Sequence, residues 1–320
     1  MAKKLEDQII IYTSSLDSKI FGLQSITDIK IQPLLGGYHN SMYVLLLNKH
    51  SKFVVRFSLH NETGTDRIAE EWASMKKIQN VRIPSCLFIG VPDFLGSSIM
   101  ITDFIKGEHK KFDSISDSEV SCLAENIARL HQNTLDMYSV ALGAPPTQLG
   151  THFNYLRSSV ESSIIRRLDK IDPLYLAEAE ENIKKGLEQI NQLSVNNAEF
   201  FERHMFSLLH TDVNENNIIW QAGVPVFIDW EDVTYGDPAD EIGYIFAINN
   251  ASQLFKETFL SKYMQLSDDL DIPARVKVYE LKNRLFDLIW SIGKLAESDK
   301  NRPLYCERLD SLRHAVAQID

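Results

Sequence analysis

Cysteine is scarce: the 320 residues hold three, Cys86, Cys122 and Cys306, far apart, odd in number and with no histidine nearby at metal-ligand spacing. This excludes a disulfide-stapled scaffold and offers no zinc motif, so the thiols are expected to be reduced and buried. Long apolar runs are also missing. No stretch approaches the ~20 residues of a membrane span, and the opening Met-Ala-Lys-Lys-Leu-Glu-Asp-Gln has charges where a secretory signal needs its apolar segment. The expectation is a soluble, cytoplasmic protein with no membrane partner. Positive charge is not in excess either: 33 Lys and Arg face 44 Asp and Glu, a formal net charge of −11, which argues against nucleic acid as a partner. Internal repeats and low-complexity tracts are absent, which excludes solenoids and disordered arrays.

The chain does have a large apolar reserve, 44% of its residues in 36.6 kDa, enough for a sizeable core and, at ordinary domain size, for two units. Its acid is unevenly placed. Up to Asp103 there are 11 basic and 10 acidic residues, which leaves 22 against 34 in the remainder. A C-terminal part of that kind suits a cationic ligand, although acidic surfaces also serve solubility alone.

The first third reads as strands. Ile29, Ile31 and Leu34-Leu35 lead into Gly36-Gly37, Met42 to Leu47 is apolar, Asn48 to Ser51 is turn-like, and Phe53 to Phe57 is again β-rich. A helix follows in which Ile68, Trp72, Met75 and Ile78 recur at helical spacing, with Glu71 on that apolar side and therefore in need of a partner. Strands are expected at Cys86 to Ile89 and Ser98 to Thr102, then a linker over Asp103 to Gly107. Beyond Ser116 the pattern is mainly helical, with Trp290 and Tyr244 expected in the core, although an aromatic of this kind also suits an ammonium group.

The strongest local signal is Leu209-His210-Thr211-Asp212-Val213-Asn214-Glu215-Asn216-Asn217-Ile218-Ile219, followed by Val226-Phe227-Ile228-Asp229-Trp230-Glu231. Gly223 stands midway between Asn217 and Asp229 in a turn-like Gln221-Ala222-Gly223-Val224-Pro225 flanked by apolar arms. A hairpin folded there brings Asn217 and Asp229 together at its open end, with Asp212 in the preceding loop. Magnesium takes few protein oxygens beside phosphate and water, so one Asn carbonyl and one Asp carboxylate suit it. A separate carboxylate, Asp212, is placed to orient an acceptor hydroxyl and take its proton.

These residues resemble the aminoglycoside phosphotransferase and choline kinase family, small-molecule relatives of the protein kinases. Gly236-Asp237-Pro238-Ala239-Asp240-Glu241 is similar to the family's Gly-Asp-Pro-x-x-Asp, with Glu241 in place of the last Asp. The resemblance extends to Gly36-Gly37-Tyr38-His39-Asn40-Ser41 as the phosphate loop, Phe53-Val54-Val55-Arg56 as the third strand and Ala69-Glu70-Glu71-Trp72 as the first helix. It implies an α+β, two-lobed, protein-kinase-like fold: an N-terminal antiparallel sheet lobe over 1–103 and a larger, mainly helical C-terminal lobe over 104–320, with an added helical segment near 151–204. It further implies that the backbone around Gly37, Asn40 and Ser41 cradles the phosphates of ATP or GTP. Arg56, where protein kinases have Lys, would hold the α- and β-phosphates and pair with Glu71. The base would lie between Val54 and Ile219 or Ile228, its edge meeting the backbone of Asp103 and Ile105. His210 resembles the family's structural His.

Seven positions separate Asp229 from Asp237, where a protein kinase would carry a long activation segment, so the expected acceptor is small. The implied activity is transfer of a γ-phosphoryl group, with Mg2+, from a nucleoside triphosphate to a hydroxyl of a small, cationic acceptor. An aminoglycoside comes first; choline, ethanolamine, another amino alcohol or a sugar are the alternatives. Glu231, Asp240, Glu241 and Glu280 are the candidate acceptor carboxylates. A nucleotide-binding pseudokinase is the reading from another class, against which the complete set of Asp212, Asn217 and Asp229 stands.

Overall fold

A computed structural model describes residues 2–34, 41–58, 66–135 and 151–318. The N-terminal part is a five-stranded antiparallel sheet in the order β1-β2-β3-β5-β4: β1 Ile29–Pro33, β2 Ser41–Leu47, β3 Ser51–Phe57, β4 Cys86–Gly90 and β5 Ile99–Asp103. Period-two alternation sets its faces. Tyr43, Leu45, Leu47, Phe53, Val55 and Phe57 point to one side and form a core with Phe21, Ile99 and Ile101. Val54 and Arg56 therefore face the other way.

Two elements flank this sheet. Helix α1, Ala2–Ser14, has its fully buried Ile9 in the same core, with Leu5 and Tyr12 packed beside it. Reading the first third as strands missed this helix, although Leu5, Ile9 and Tyr12 recur at helical spacing with charges at the positions between. Helix α2, Arg67–Met75, starts at Asp66, which accepts hydrogen bonds from the backbone N–H of Ala69 at 3.1 Å and of Ser98 at 2.9 Å, tying the helix to the start of β5.

After β5 the chain crosses to the second part, and the crossing is tethered. Glu108 and Trp220 exchange backbone hydrogen bonds of 3.1 and 2.8 Å. The second part comprises α3 Asp117–His131, α4 His152–Val160, short α5 Arg166–Leu168 and α6 Pro173–Leu176, α7 Glu180–Asn196, α8 Pro238–Ile248, α9 Gln253–Met264, α10 Ile272–Glu297 and α11 Arg302–Ala317. A small sheet, ordered β10-β7-β6, joins Thr234–Gly236, Phe206–Leu209 and Thr134–Leu135, and β8 Ile218–Gln221 pairs with β9 Val224–Phe227 as a hairpin. Ala222 and Gly223 turn it with φ of 52° and 77°. The fold is thus the expected α+β arrangement of an antiparallel sheet followed by a mainly helical part. One apolar cluster runs from Ile68 and Met75 of α2 through α3, α8 and α10 to Leu312 of α11.

Among the described residues no helix is long and apolar enough to cross a membrane. The three cysteines are free as expected but not buried: Cys86 and Cys122 are half-buried and Cys306 is exposed.

Helix α8 lies hard against α10 because Gly243 has no side chain; a Cβ there would sit 2.7 Å from the Glu280 backbone nitrogen and 2.8 Å from Tyr279 Cβ. Gly243→Ala is expected to lower stability by about 1–3 kcal/mol, the usual cost of overpacking. A shifted urea midpoint checks this, and an unchanged midpoint would mean that the two helices separate at no cost.

Candidate active site

The hairpin meets the expectation placed on it. Ile228 donates its N–H to the Asn217 carbonyl at 3.0 Å, so the two arms close just where Asn217 and Asp229 leave them. Ile218 and Phe227, paired across the arms, are fully buried, whereas Ile219 and Ile228 are half-buried, as is Val54 on the inward face of β3. These are the three apolar side chains expected beside a nucleotide base. Asp103, at the end of β5, accepts from the Ser85 N–H through its side chain, and Ile105 is half-buried in the crossing. Gly37 and Asn40 lie outside the described residues; Ser41 opens β2, opposite Phe57 of β3.

The loop before the hairpin is held by several contacts. His210, fully buried, donates from Nε2 to the Ile228 carbonyl at 2.9 Å, while Nδ1 accepts from the Asp212 N–H at 3.3 Å, so its geometry is that of a brace. Thr211 has φ of 71°, and its N–H donates to Glu241 Oε1 at 2.6 Å. Asp229 likewise has φ of 67°. Such backbone in non-glycine residues persists only where neighbours impose it.

The carboxylate of Asp212 is the centre of this loop. Asn217 Nδ2 donates to Oδ2 at 2.7 Å, Asn214 Nδ2 to Oδ1 at 2.8 Å, and the Tyr244 hydroxyl also to Oδ1. Tyr244, expected in the core or beside a cationic acceptor, is thus bonded to this loop through its hydroxyl, a contact that sequence reasoning did not foresee. Burial, then the charge of Asp212, raises its phenol pKa well above the ordinary value, so it remains a donor. Its position one turn after Glu241 on α8, with the Gly-Asp-Pro segment fixing the start of that helix, was the available signal.

Across the cleft, Arg56 is nearly buried and bridges two carboxylates: Nη1 to Glu71 Oε1 and Nη2 to Asp229 Oδ1, both at 2.7 Å. Glu71 has the partner its buried position demanded. The same Oε1 accepts from the Trp230 N–H at 3.1 Å, so α2, β3 and the end of the hairpin meet at one atom. Burial raises the Glu71 pKa despite Arg56. The Arg56 pairing to Asp229 was not anticipated, since that guanidinium was expected on phosphates.

The carboxylates named as acceptor candidates also have partners within the protein, and Asp240 has the bracing place beside its helix that its position suggested. Asp240 is buried and takes Lys282 Nζ at 2.7 Å, the Tyr155 hydroxyl at 3.0 Å and Asn283 Nδ2 at 3.0 Å. Glu241 meets His131 Nε2 at 2.8 Å as well as Thr211. Glu280 is paired with Lys256 at 2.6 Å and Arg284 at 2.8 Å. Each of these carboxylates has a basic side chain within hydrogen-bond reach, which acid counts along a sequence cannot reveal. Glu231 is half-buried beside Asp229, and burial followed by the charges of Asp229 and Asp232 raises its pKa. A cavity of about 150 Å³, lined among others by Thr211, Asp240, Glu241, Tyr244 and Phe286, lies beside this loop.

Among the described residues no cluster of three or more His, Cys, Asp or Glu forms a ready metal cage. That composition suits a magnesium ion brought in with phosphate oxygens and water: Asn217 uses its amide nitrogen on Asp212, which leaves its carbonyl oxygen as a hard donor beside Asp229.

Comparison with known proteins places this architecture. The sequence model of the phosphotransferase enzyme family (APH) matches residues 30–279. No curated protein gives a significant match. Among solved structures, a thermostable mutant of aminoglycoside phosphotransferase APH(4)-Ia in ternary complex with AMP-PNP and hygromycin B is 15% identical, covering 95% of this chain and 98% of its own, with a TM-score of 0.64. The GDP and kanamycin complex of APH(2")-IIIa is 20% identical over 97% and 99% of the two chains, TM-score 0.60. A choline/ethanolamine kinase family protein from Mesorhizobium loti is 15% identical over 97% and 94%, TM-score 0.63. At these identities the likeness is one of fold.

Proposed function

Because the chain belongs to the phosphotransferase enzyme family, we propose that it moves the γ-phosphoryl group of ATP or GTP onto a hydroxyl of a small acceptor. The observation that carries the reading is the convergence of Asp212 and Asn217, 2.7 Å apart, with Asp229 and Arg56 at the hairpin's open end. Asp212 orients the acceptor hydroxyl and receives its proton. Asn217 and Asp229 hold magnesium, which would supply positive charge against the phosphate oxygens. Arg56, kept in place by Glu71, meets the phosphates, and Val54, Ile219 and Ile228 enclose the base, whose edge meets the backbone of Asp103 and Ile105. The backbone near Gly37, Asn40 and Ser41 completes the phosphate cradle. Residues 1–103 and 104–320 act as the two lobes of this site. AMP-PNP and GDP in the solved neighbours support a nucleotide site of this kind.

Hygromycin B and kanamycin in those complexes, with the acidic surplus beyond Asp103, support an aminoglycoside as acceptor, with Glu231, Asp240, Glu241 and Glu280 as its candidate carboxylates. One observation favours a second reading, a smaller amino alcohol or sugar. The carboxylates of Asp240 and Glu241, on the wall of the cavity beside the loop, are already paired, which leaves fewer charges there for a polycationic sugar.

A coupled nucleotide-turnover assay tests both readings, with ATP and GTP in turn, magnesium, and kanamycin, hygromycin B, choline, ethanolamine and simple sugars as acceptors. Acceptor-dependent turnover is expected with one nucleotide and one acceptor class. Nucleotide binding with no turnover on any of them would favour a pseudokinase.

A further inference from the structure

Helix α8 grips the catalytic loop at two points one turn apart. Glu241 accepts from the Thr211 N–H at 2.6 Å, and Tyr244 donates to Asp212. The first contact holds the backbone in its left-handed conformation. The second acts on the carboxylate itself, and donor accounting shows its consequence. A carboxylate oxygen offers two lone-pair sites. Oδ1 of Asp212 receives Asn214 Nδ2 at 2.8 Å and the Tyr244 hydroxyl, so both sites are filled. Oδ2 receives, among the described residues, only Asn217 Nδ2 at 2.7 Å, and one site remains.

We propose that Tyr244 is a positioning residue that occupies Oδ1 of Asp212 and so directs the acceptor hydroxyl to Oδ2, the oxygen on the side of Asn217. This inference rests on Asp212 being the group that receives the acceptor's proton. Tyr244 also lines the cavity beside the loop, so its ring forms a wall along the acceptor's approach while its hydroxyl fixes the target. Without that donor the carboxylate gains a second open site, on Oδ1 and not on the oxygen that Asn217 holds. A hydroxyl bound there is held away from the transferring phosphorus, and misplacement of that kind costs rate rather than nucleotide affinity.

The test uses the full chain with magnesium and follows nucleotide turnover in the presence of kanamycin and in water alone, together with the nucleotide dissociation constant. Asp212→Ala defines the turnover that depends on the carboxylate. Tyr244→Phe is expected to lower that part about ten- to hundredfold, the loss usual for one hydrogen bond to a charged group. Nucleotide affinity should stay within about twofold, since the phenol is bonded to the loop and not to Arg56 or Glu71. Tyr244→His, which restores an N–H donor, should recover part of the loss, and it keeps the test open if the phenylalanine variant folds poorly. An inactive Asp212→Ala beside a Tyr244→Phe at wild-type rate would overturn the inference alone. Wild-type turnover in Asp212→Ala would overturn the base assignment and the inference with it. A parallel loss of nucleotide affinity and rate in both tyrosine variants would also overturn it, because that is the mark of a general structural role.

Discussion

Asp212→Ala is expected to lower acceptor-dependent turnover by about 10²–10⁴-fold, the range for removing a positioned proton acceptor. That corresponds to about 3–5 kcal/mol of transition-state stabilisation. Nucleotide affinity should hold, because the contacts of Asp212 run to Asn214, Asn217 and Tyr244 and none runs to Arg56 or Glu71. The carboxylate nevertheless does two things at once, since it also anchors the two asparagines. Asp212→Asn separates them: it keeps the size and one carbonyl acceptor but cannot take a proton. If the Asn variant regained most of the rate lost in the Ala variant, Asp212 would be a scaffold for Asn217 and the proton acceptor would have to be sought elsewhere. Steady-state kinetics with an acceptor that turns over, beside calorimetric titration with nucleotide, distinguish the outcomes.

Local pattern and pairing across distance were not equally legible in the sequence. The hairpin of residues 218–227 was readable because its turn, its apolar arms and the asparagine and aspartate at its ends lie within a dozen positions, where chain geometry leaves few options. The placement of Glu71 was readable for a related reason: a carboxylate on the apolar side of a helix has to find a cation, and Arg56 supplies it. Helix α1 carried a legible signal that was passed over: Leu5, Ile9 and Tyr12 recur at i, i+4 and i+7, and what the sequence does not show is the sheet, formed later in the chain, that this face covers. The partners of the candidate acceptor carboxylates were hidden for a third reason. Asp240 and Glu241 find Lys282 and His131 at separations of 42 and 110 residues, which no local pattern encodes, whereas the pairing of Glu280 with Arg284 four residues on follows helical spacing. Tyr244 belongs with them, since an apolar helix face predicts a buried ring and says nothing of where its hydroxyl points.

Arg275 carries the largest stability effect expected of a single side chain here. It is fully buried and reaches three acceptors: Asp237 at 2.9 and 3.0 Å, Asp269 at 2.6 Å, and the Phe200 carbonyl at 3.0 Å. Asp237 in turn caps α8 by accepting from the Ala239 N–H at 3.0 Å, so Arg275 secures the start of the helix that carries Glu241 and Tyr244. Arg275→Met leaves the fully buried Asp237 without its guanidinium, while Asp269 keeps Arg203 at 2.8 Å, and is expected to cost about 3–5 kcal/mol. That is a large part of the ~5–15 kcal/mol typical of a whole domain. The pH dependence tests the same network. Burial by itself would push the Asp237 pKa up, but Arg275 first and His152 second bring it down to about 2, from an ordinary 3.8. A depressed carboxylate contributes fully above its unfolded value near 4 and loses that contribution as pH falls through its folded value. The stability difference between the wild type and Asp237→Asn should thus shrink by about 2 kcal/mol between about pH 4 and 2. Urea unfolding at a series of pH values measures it. A difference that stays flat to pH 2 would mean that Arg275 serves as a neutral-like hydrogen-bond donor there, with the charge of Asp237 contributing nothing to holding α8.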